Sequence, residues 1–233
     1  QTLTAPTINN NGGAINVGVG STLQGTANTL NNAATINVAT NGTVTDAGNI
    51  NNLAAGIINF NGPGGTATLA STTNNAIVND GQINVGSGGV NITGNITNQG
   101  TGAFAMGAGA GTVTVAGNFT NNGTATLVVN GGTLTGITTL ANNSTAAAGV
   151  TIGAGATVSA TNVTNAAGST IANSGTLTSA TVIANNGTLG NLTAGSIING
   201  GVNNAATGIV NNTGTINGGI TANLGTVNSN TAT

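Results

Sequence analysis

This sequence contains very few side chains that could transfer protons or bind metal ions. Its 233 residues include no Lys, Arg, His or Cys, and Asp46 and Asp80 are its only carboxylate side chains. General acid–base catalysis and metal sites depend on clusters of such groups. Each Asp lies beside turn-forming residues, which indicates a turn role and not an acid pair. The sequence therefore predicts no enzyme activity, no cofactor, and no catalytic, cofactor-binding or metal-binding residue.

The charge balance excludes further classes of partner. The formal net charge is −2, and no basic residue is present to neutralise phosphate groups. Nucleic acid is therefore not an expected partner. No run of about 18 apolar residues occurs, so we expect no membrane-spanning segment.

Three other features have structural explanations. The segment Gly107–Gly111 has no Lys and no following helix pattern, which favours turns or tight packing over a phosphate-binding loop. Asn-x-Ser/Thr sequences are expected in a chain so rich in Asn and Thr; they include Asn91, Asn95, Asn118, Asn122 and Asn191. We expect the three aromatic residues to fill the core, namely Phe60, Phe104 and Phe119.

The sequence repeats itself with a period near 21 residues. Residues 90–101 align with residues 113–124 at an offset of 23, and residues 198–202 align with 216–220 at an offset of 18. A short Thr-apolar-Thr unit recurs at intervals of 19 to 24 residues, beginning at Thr2, Thr22, Thr43, Thr66, Gly89, Thr112, Thr133, Thr157, Thr176, Ser196 and Thr215. Each unit is followed by an apolar residue that leads into an Asn/Gly turn, at Ile8, Leu30, Ile50, Val78, Ile96, Phe119, Leu140, Val163, Ile183, Val202 and Ile220. Such internal periodicity indicates a solenoid.

Each repeat contains short runs in which apolar and small polar residues alternate, as in residues 112–115. Alternation of this kind predicts strands with one buried face, and the intervening Asn-Gly and Gly-Gly pairs predict turns. Apolar residues make up 38% of the chain and the net charge is low, which argues against disorder. We therefore predict an all-β fold, a parallel β-helix of about eleven coils of 18–24 residues that runs as one continuous solenoid over residues 1–233. At about 4.8 Å per coil the rod is roughly 50 Å long.

The repeat also predicts which side chains stack. The expected inward positions of the Thr-apolar-Thr strand are Val44, Ala67, Val90, Val113, Leu134, Val158, Leu177, Ile197 and Ile216. Two explanations of the Asn content stay open at this point. Asn at one corner of successive coils can form amide ladders along the axis, or it can serve the turns because it tolerates a left-handed backbone.

Repeats such as residues 118–124, 183–188 and 208–216 resemble secreted β-helical surface proteins of bacteria, namely autotransporter passenger domains and filamentous-haemagglutinin-type adhesins. The resemblance implies a right-handed coil, secretion or display at the bacterial cell surface, and a role in adhesion or in a biofilm. The 233 residues include no pattern of a membrane-barrel segment, which is a departure from the autotransporter pattern. The β-helical polysaccharide lyases and hydrolases use acidic and basic clusters that have no counterpart here.

Two functions are consistent with these features. The first is a structural extracellular solenoid, either a segment of an adhesin or the protomer of a surface filament. It would contact a host or neighbouring-cell surface, and because no cap pattern is visible at either end, we expect it to be part of a longer solenoid or to associate end to end. The alternative is ice binding, because the Thr-x-Thr units resemble the flat faces of β-solenoid ice-binding proteins.

Overall fold

A computed structural model describes residues 1–73 and 75–230, and within these ranges the chain forms 28 β-strands and no helix. The first ten strands are β1 (Thr2–Ala5), β2 (Ile8–Asn10), β3 (Ala14–Val17), β4 (Thr22–Gly25), β5 (Leu30–Asn32), β6 (Thr35–Val38), β7 (Thr43–Asp46), β8 (Ile50–Asn52), β9 (Ile57–Ser71) and β10 (Ala76–Asn79). The next nine are β11 (Gln82–Thr93), β12 (Asn95–Asn98), β13 (Ala103–Met106), β14 (Ala110–Gly123), β15 (Thr126–Val129), β16 (Thr133–Ser144), β17 (Val150–Ile152), β18 (Thr157–Asn165) and β19 (Thr170–Asn173). The last nine are β20 (Thr176–Ser179), β21 (Ile183–Asn185), β22 (Thr188–Asn191), β23 (Ile197–Asn199), β24 (Val202–Asn204), β25 (Ile209–Asn212), β26 (Thr215–Asn217), β27 (Ile220–Asn223) and β28 (Thr226–Ser229).

The strands form three parallel sheets that wind around one core. The first sheet contains β1, β4, β7, β20, β23 and β26, together with one part each of β9, β11, β14, β16 and β18. The second sheet runs from β2 to β27 and the third from β3 to β28, so each coil adds one strand to every sheet. The predicted all-β parallel solenoid of about eleven coils is confirmed.

Alternation along each strand places its apolar residues inside. In β15, for example, Leu127 and Val129 are fully buried while Thr126 and Val128 face outward. Stacking repeats this pattern from coil to coil, so the aliphatic side chains form one continuous core. The predicted core role of the Phe residues is confirmed: all three are buried, and the rings of Phe104 and Phe119 meet edge to face with centroids 5.4 Å apart.

The register of the first sheet differs from the sequence-based prediction. Val44 pairs with Leu69 and not with Ala67, whereas Ala67 begins the row that continues through Val90 and Val113. The strand of the fourth coil is therefore displaced by two residues, directly after the Asn-Gly-Pro-Gly-Gly corner at residues 61–65. Because side chains alternate with a period of two, this displacement leaves the inward face unchanged.

One predicted inward position is wrong by one residue. Ile198 is the buried residue of its strand, whereas Ile197 aligns with Thr176 and Thr215 on the outer face. A similar ambiguity occurs in the second sheet, where Ile77 pairs with Ile50 and points inward, one residue before Val78, which leads into the turn. In both cases two β-branched residues are adjacent, so hydrophobic alternation alone does not decide which one points inward.

Candidate functional site: stacked amides and a hydroxyl face

The most regular feature of the solenoid is a column of asparagines inside the corner that follows the second sheet. We call it the inner ladder. Its eleven members, one in each coil, are Asn10, Asn32, Asn52, Asn79, Asn98, Asn121, Asn142, Asn165, Asn185, Asn204 and Asn223.

The amides of the inner ladder form a single chain of hydrogen bonds with one direction. In every step Nδ2 of one Asn donates to Oδ1 of the Asn in the next coil, at N···O distances of 2.6 to 3.4 Å. Nδ2 also donates to a backbone carbonyl of the following coil. Asn98, for example, donates to Asn121 at 2.8 Å and to the Thr126 carbonyl at 2.9 Å. The fully buried amides thus satisfy their hydrogen-bonding capacity without water.

Local geometry explains why Asn occupies this column. In ten of the eleven coils the Asn lies two residues after the inward apolar residue of the second sheet, as Asn98 follows Ile96, and therefore also points inward. At the corner the backbone no longer forms the hydrogen bonds of the sheet, and the side-chain amide of Asn donates to a backbone carbonyl there. Among the described residues, only Asn41 and Asn75 are non-glycine residues with positive φ, and neither belongs to the inner ladder. Amide stacking, and not left-handed turn geometry, accounts for these asparagines.

Further asparagines stack on the outer surface with the opposite direction. Asn37 donates to Asn16, Asn59 to Asn37, and Asn84 to Asn59, at 2.9 to 3.0 Å, so that each Nδ2 points toward the preceding coil. Near the other end, Asn228 donates to Asn211 at 2.8 Å in the same sense. Inner and outer amide dipoles therefore run antiparallel along the rod.

Asp46 and Asp80 do not form an acid pair, because they belong to different corners. Asp46 is fully buried at the end of β7, where Oδ1 accepts a 2.7 Å bond from the Gly48 N–H and Oδ2 has no partner within the described residues. Oδ2 occupies the space that a Cβ on Gly25 would need. Desolvation raises the pKa of Asp46, and the Gly48 bond opposes that shift only in part. Asp80 follows β10 and accepts a 3.4 Å bond from Gln99.

Two rows of hydroxyl side chains lie side by side on the outer face of the first sheet. One row pairs Thr112, Thr133, Thr157 and Thr176 in succession. In the other, Thr114 pairs with Thr135 and Ser159 pairs with Thr178, and the register shifts after Leu134, between these two pairs. We call these eight residues the hydroxyl face. Among the described residues its hydroxyl groups make a single side-chain hydrogen bond, from Asn199 Nδ2 to Thr178 at 3.2 Å. Most of these hydroxyls therefore remain available to a ligand or to solvent.

The structure gives no binding role to the other segments that the sequence singled out. The Gly107–Gly111 segment forms a corner in which the Ala110 N–H donates to the Gly107 carbonyl at 3.0 Å. Asn191 is buried and bonded to Asn212, which makes it inaccessible as a sequon. Over residues 1–73 and 75–230 there is no grouping of three His, Cys, Asp or Glu side chains, and no helix suited to crossing a membrane.

These features define a β-solenoid with an amide-lined corner. No protein-family model matches the chain, and no curated protein matches it. Among solved structures, the chain is similar to the crystal structure of a TibC-catalysed, hyper-glycosylated fragment of TibA, with 18% identity over 99% of this chain and 97% of that chain and a TM-score of 0.32. A likeness of this size carries no conclusion about function.

Proposed function

We propose that this chain is a structural extracellular solenoid displayed at the bacterial cell surface, either as a segment of an adhesin or as the protomer of a surface filament, and that it has no catalytic activity. The observation that supports this proposal is the unbroken inner ladder. Ten of its eleven stacked amides are buried in the core, where they serve rigidity and contribute no reactive group. The resemblance of the repeats to secreted β-helical surface proteins agrees with it.

Adhesion by this rod would rely on hydrogen bonding and not on charge. The exposed residues are mainly Asn, Thr, Ser, Ala and Gly, and the net charge is −2. Such a surface offers no electrostatic steering toward polyanions. We expect neutral surfaces rich in hydroxyl and amide groups, such as glycans or another copy of the solenoid, to be the partners.

Immunogold labelling of intact producing cells tests the location. An antibody against the folded rod should label the exterior, and external proteinase K at concentrations that digest the rod should remove the label. Beads coated with the rod should also retain cells better than albumin-coated beads. Label confined to the interior of sectioned cells would contradict the proposal.

The hydroxyl face supports ice binding as a second candidate. Its rows repeat every 4.8 Å or so along the axis, and neighbouring hydroxyl residues within a strand are about 6.7 Å apart, which makes a two-dimensional array that the register shift after Leu134 interrupts in one row. Thermal hysteresis should be measurable and should be lost on Thr114→Lys or Thr135→Lys. The matched controls, Thr126→Lys and Thr170→Lys, alter the outer face of the third sheet and should retain it. Unaltered ice growth by the unmodified protein would refute this candidate.

A further inference from the structure

Eight asparagines of this chain are followed directly by glycine, which is the pair most prone to spontaneous deamidation. Glycine has no Cβ, so its backbone nitrogen can approach the side-chain carbonyl carbon of the preceding Asn. The eight are Asn11, Asn41, Asn61, Asn122, Asn130, Asn186, Asn199 and Asn217. No member of the inner ladder is followed by glycine. The fold then decides which of the eight pairs is free to react.

Two of these pairs are held by hydrogen bonds from the neighbouring coil. Oδ1 of Asn41 accepts from the Thr66 N–H at 3.0 Å, and the Gly42 N–H is itself bonded to a carbonyl at 2.9 Å. Asn122 lies within β14, and its Oδ1 accepts from Nδ2 of Asn143 at 3.0 Å. Ring closure at either pair therefore requires these bonds to break first.

Three more pairs are restrained in similar ways. Nδ2 of Asn217 donates to Oδ1 of Asn199 at 2.8 Å, and Nδ2 of Asn199 donates to the Thr178 hydroxyl at 3.2 Å. The Gly200 N–H donates to the Asn217 carbonyl at 3.1 Å. Asn61 lies inside β9, where strand pairing fixes the backbone. Stacking of the coils thus protects most of the Asn-Gly pairs.

Asn130 and Asn186 lack these restraints. Both are exposed at corners, Asn130 directly after β15 and Asn186 directly after β21. Within residues 1–73 and 75–230 neither side chain forms a hydrogen bond, and the N–H groups of Gly131 and Gly187 donate none. Asn11 shares these features but has a described neighbouring coil on one side only. Asn130 and Asn186 are therefore the reactive pairs within the stacked coils.

We propose that Asn130 and Asn186 deamidate spontaneously in the folded rod. The backbone nitrogen of the following glycine attacks Cγ, the bond from Cγ to Nδ2 breaks, and ammonia leaves with the proton of the glycine N–H. Water then opens the cyclic imide to aspartate or to its β-linked isomer, isoaspartate. Each event consumes one water, releases one ammonia and adds one negative charge to a chain whose formal net charge is −2.

The rod can accept a carboxylate at either corner. The residues stacked on these two positions in the adjacent coils are uncharged, namely Gly107, Gly153, Ala166 and Ala205. No like charge therefore lies one coil away, and the exposed carboxylate stays in solvent. The rod gains charge with age while the amides of its core remain intact, and the added charge opposes association between rods.

Peptide mass spectrometry of aged samples tests the assignment. The folded chain and the guanidinium-unfolded chain are kept in the same mildly alkaline buffer, then unfolded and cut with pepsin at acid pH. Asn130 and Asn186 should convert in the folded chain at rates close to those in the unfolded chain. Asn41, Asn122 and Asn199 should convert at least about tenfold more slowly when folded, a factor that corresponds to about 1.4 kcal/mol of local opening.

Three variants separate the chemistry from the fold. Asn130→Gln and Asn186→Gln keep an amide but would have to close a larger ring, so conversion should stop at the substituted site and continue at the other. Asn199→Ala removes the acceptor of Asn217 Nδ2. Conversion of Asn217 should then accelerate, with an unchanged circular dichroism spectrum and unchanged rates at Asn130 and Asn186.

Two results would overturn the proposal: strong protection of Asn130 and Asn186 by folding, or conversion of the bonded pairs as fast as these two. An unaltered Asn217 rate in Asn199→Ala would overturn the protective role of the side-chain bonds. All of these outcomes are independent of where the rod is displayed, so they leave the proposed function to its own test.

Discussion

A buried primary amide is stable in a protein core only when both hydrogens and the oxygen have partners. The inner ladder meets this requirement by repetition, because each of its nine members between Asn10 and Asn223 receives from the coil before it and donates to the coil after it. A net contribution of about 1 kcal/mol per bond is ordinary for such contacts. Loss of one member costs more than one bond, since it leaves the neighbouring amides unsatisfied in a medium of low dielectric constant.

Asn98→Ala should therefore be strongly destabilising. The substitution removes one of the two acceptors of Asn79 Nδ2, and it removes the amide donor of both Asn121 Oδ1 and the Thr126 carbonyl. We expect the free energy of unfolding in guanidinium to fall by about 2 to 4 kcal/mol. Asn91 is an exposed residue of the same coil, and Asn91→Ala should change the free energy of unfolding by less than about 0.5 kcal/mol. Equal effects of the two variants would contradict the role of the inner ladder.

Asp46 should make the rod more stable in acid than at neutral pH. Because burial raises its pKa in the folded state from 3.8, the folded chain binds a proton more tightly than the unfolded chain. The favourable term is fully present below the unfolded pKa and is lost as the pH rises through the folded pKa. Thermal unfolding between pH 3 and pH 7 should show a falling midpoint, and Asp46→Asn should flatten the profile. A midpoint that rises with pH in the unmodified chain would exclude this effect.

The coil is the unit in which sequence and structure agree best. Thr-apolar-Thr strands and Asn/Gly corners recur at nearly constant spacing, so the strand type, the coil count and the parallel stacking were predictable. The inner ladder was also detectable, because Asn recurs two residues after the inward apolar residue in ten of the eleven coils. The registers at Ile77 and Ile198 could not be predicted from the sequence, since each has a β-branched neighbour and only pairing with adjacent coils selects the inward residue.

Aromatic packing gives the middle coils the bulkiest layers of the core. Phe104 is fully buried between Ile83 and Leu127 and meets the Phe119 ring edge to face. Phe104→Ala should lower the free energy of unfolding by about 3 to 5 kcal/mol, because the rigid stack of neighbouring coils cannot close the cavity. Phe104→Leu should cost much less. The comparison is made by guanidinium denaturation, and equal losses would show that this layer is loosely packed.

At the scale of the whole molecule, repetition explains the near absence of charge. Side chains at equivalent positions lie about 4.8 Å apart along the axis, so a charge repeated in every coil would repel its own copies. Asn and Thr avoid that repulsion, and Asn gains a hydrogen bond from the same stacking. Neutrality is thus a consequence of the architecture as much as of the function.

The rod should resist proteolysis well beyond its lack of trypsin sites. Subtilisin needs an extended, accessible segment, and most of the described chain lies in paired strands joined by short corners. We expect the folded chain to survive for hours under conditions that degrade the heat-denatured chain within minutes, as followed by gel electrophoresis. Cleavage of both samples at one rate would argue against a closed rod.

Hydrogen exchange of the Asn side chains tests the continuous inner ladder most directly. In chain labelled with ¹⁵N at asparagine, the side-chain NH₂ signals of Asn98, Asn142 and Asn165 should persist for hours after transfer into D₂O, because both hydrogens of each group are bonded inside the core. The NH₂ signal of exposed Asn91 should disappear within the dead time of the measurement. Exchange of all four groups at the same fast rate would contradict the amide-laddered solenoid.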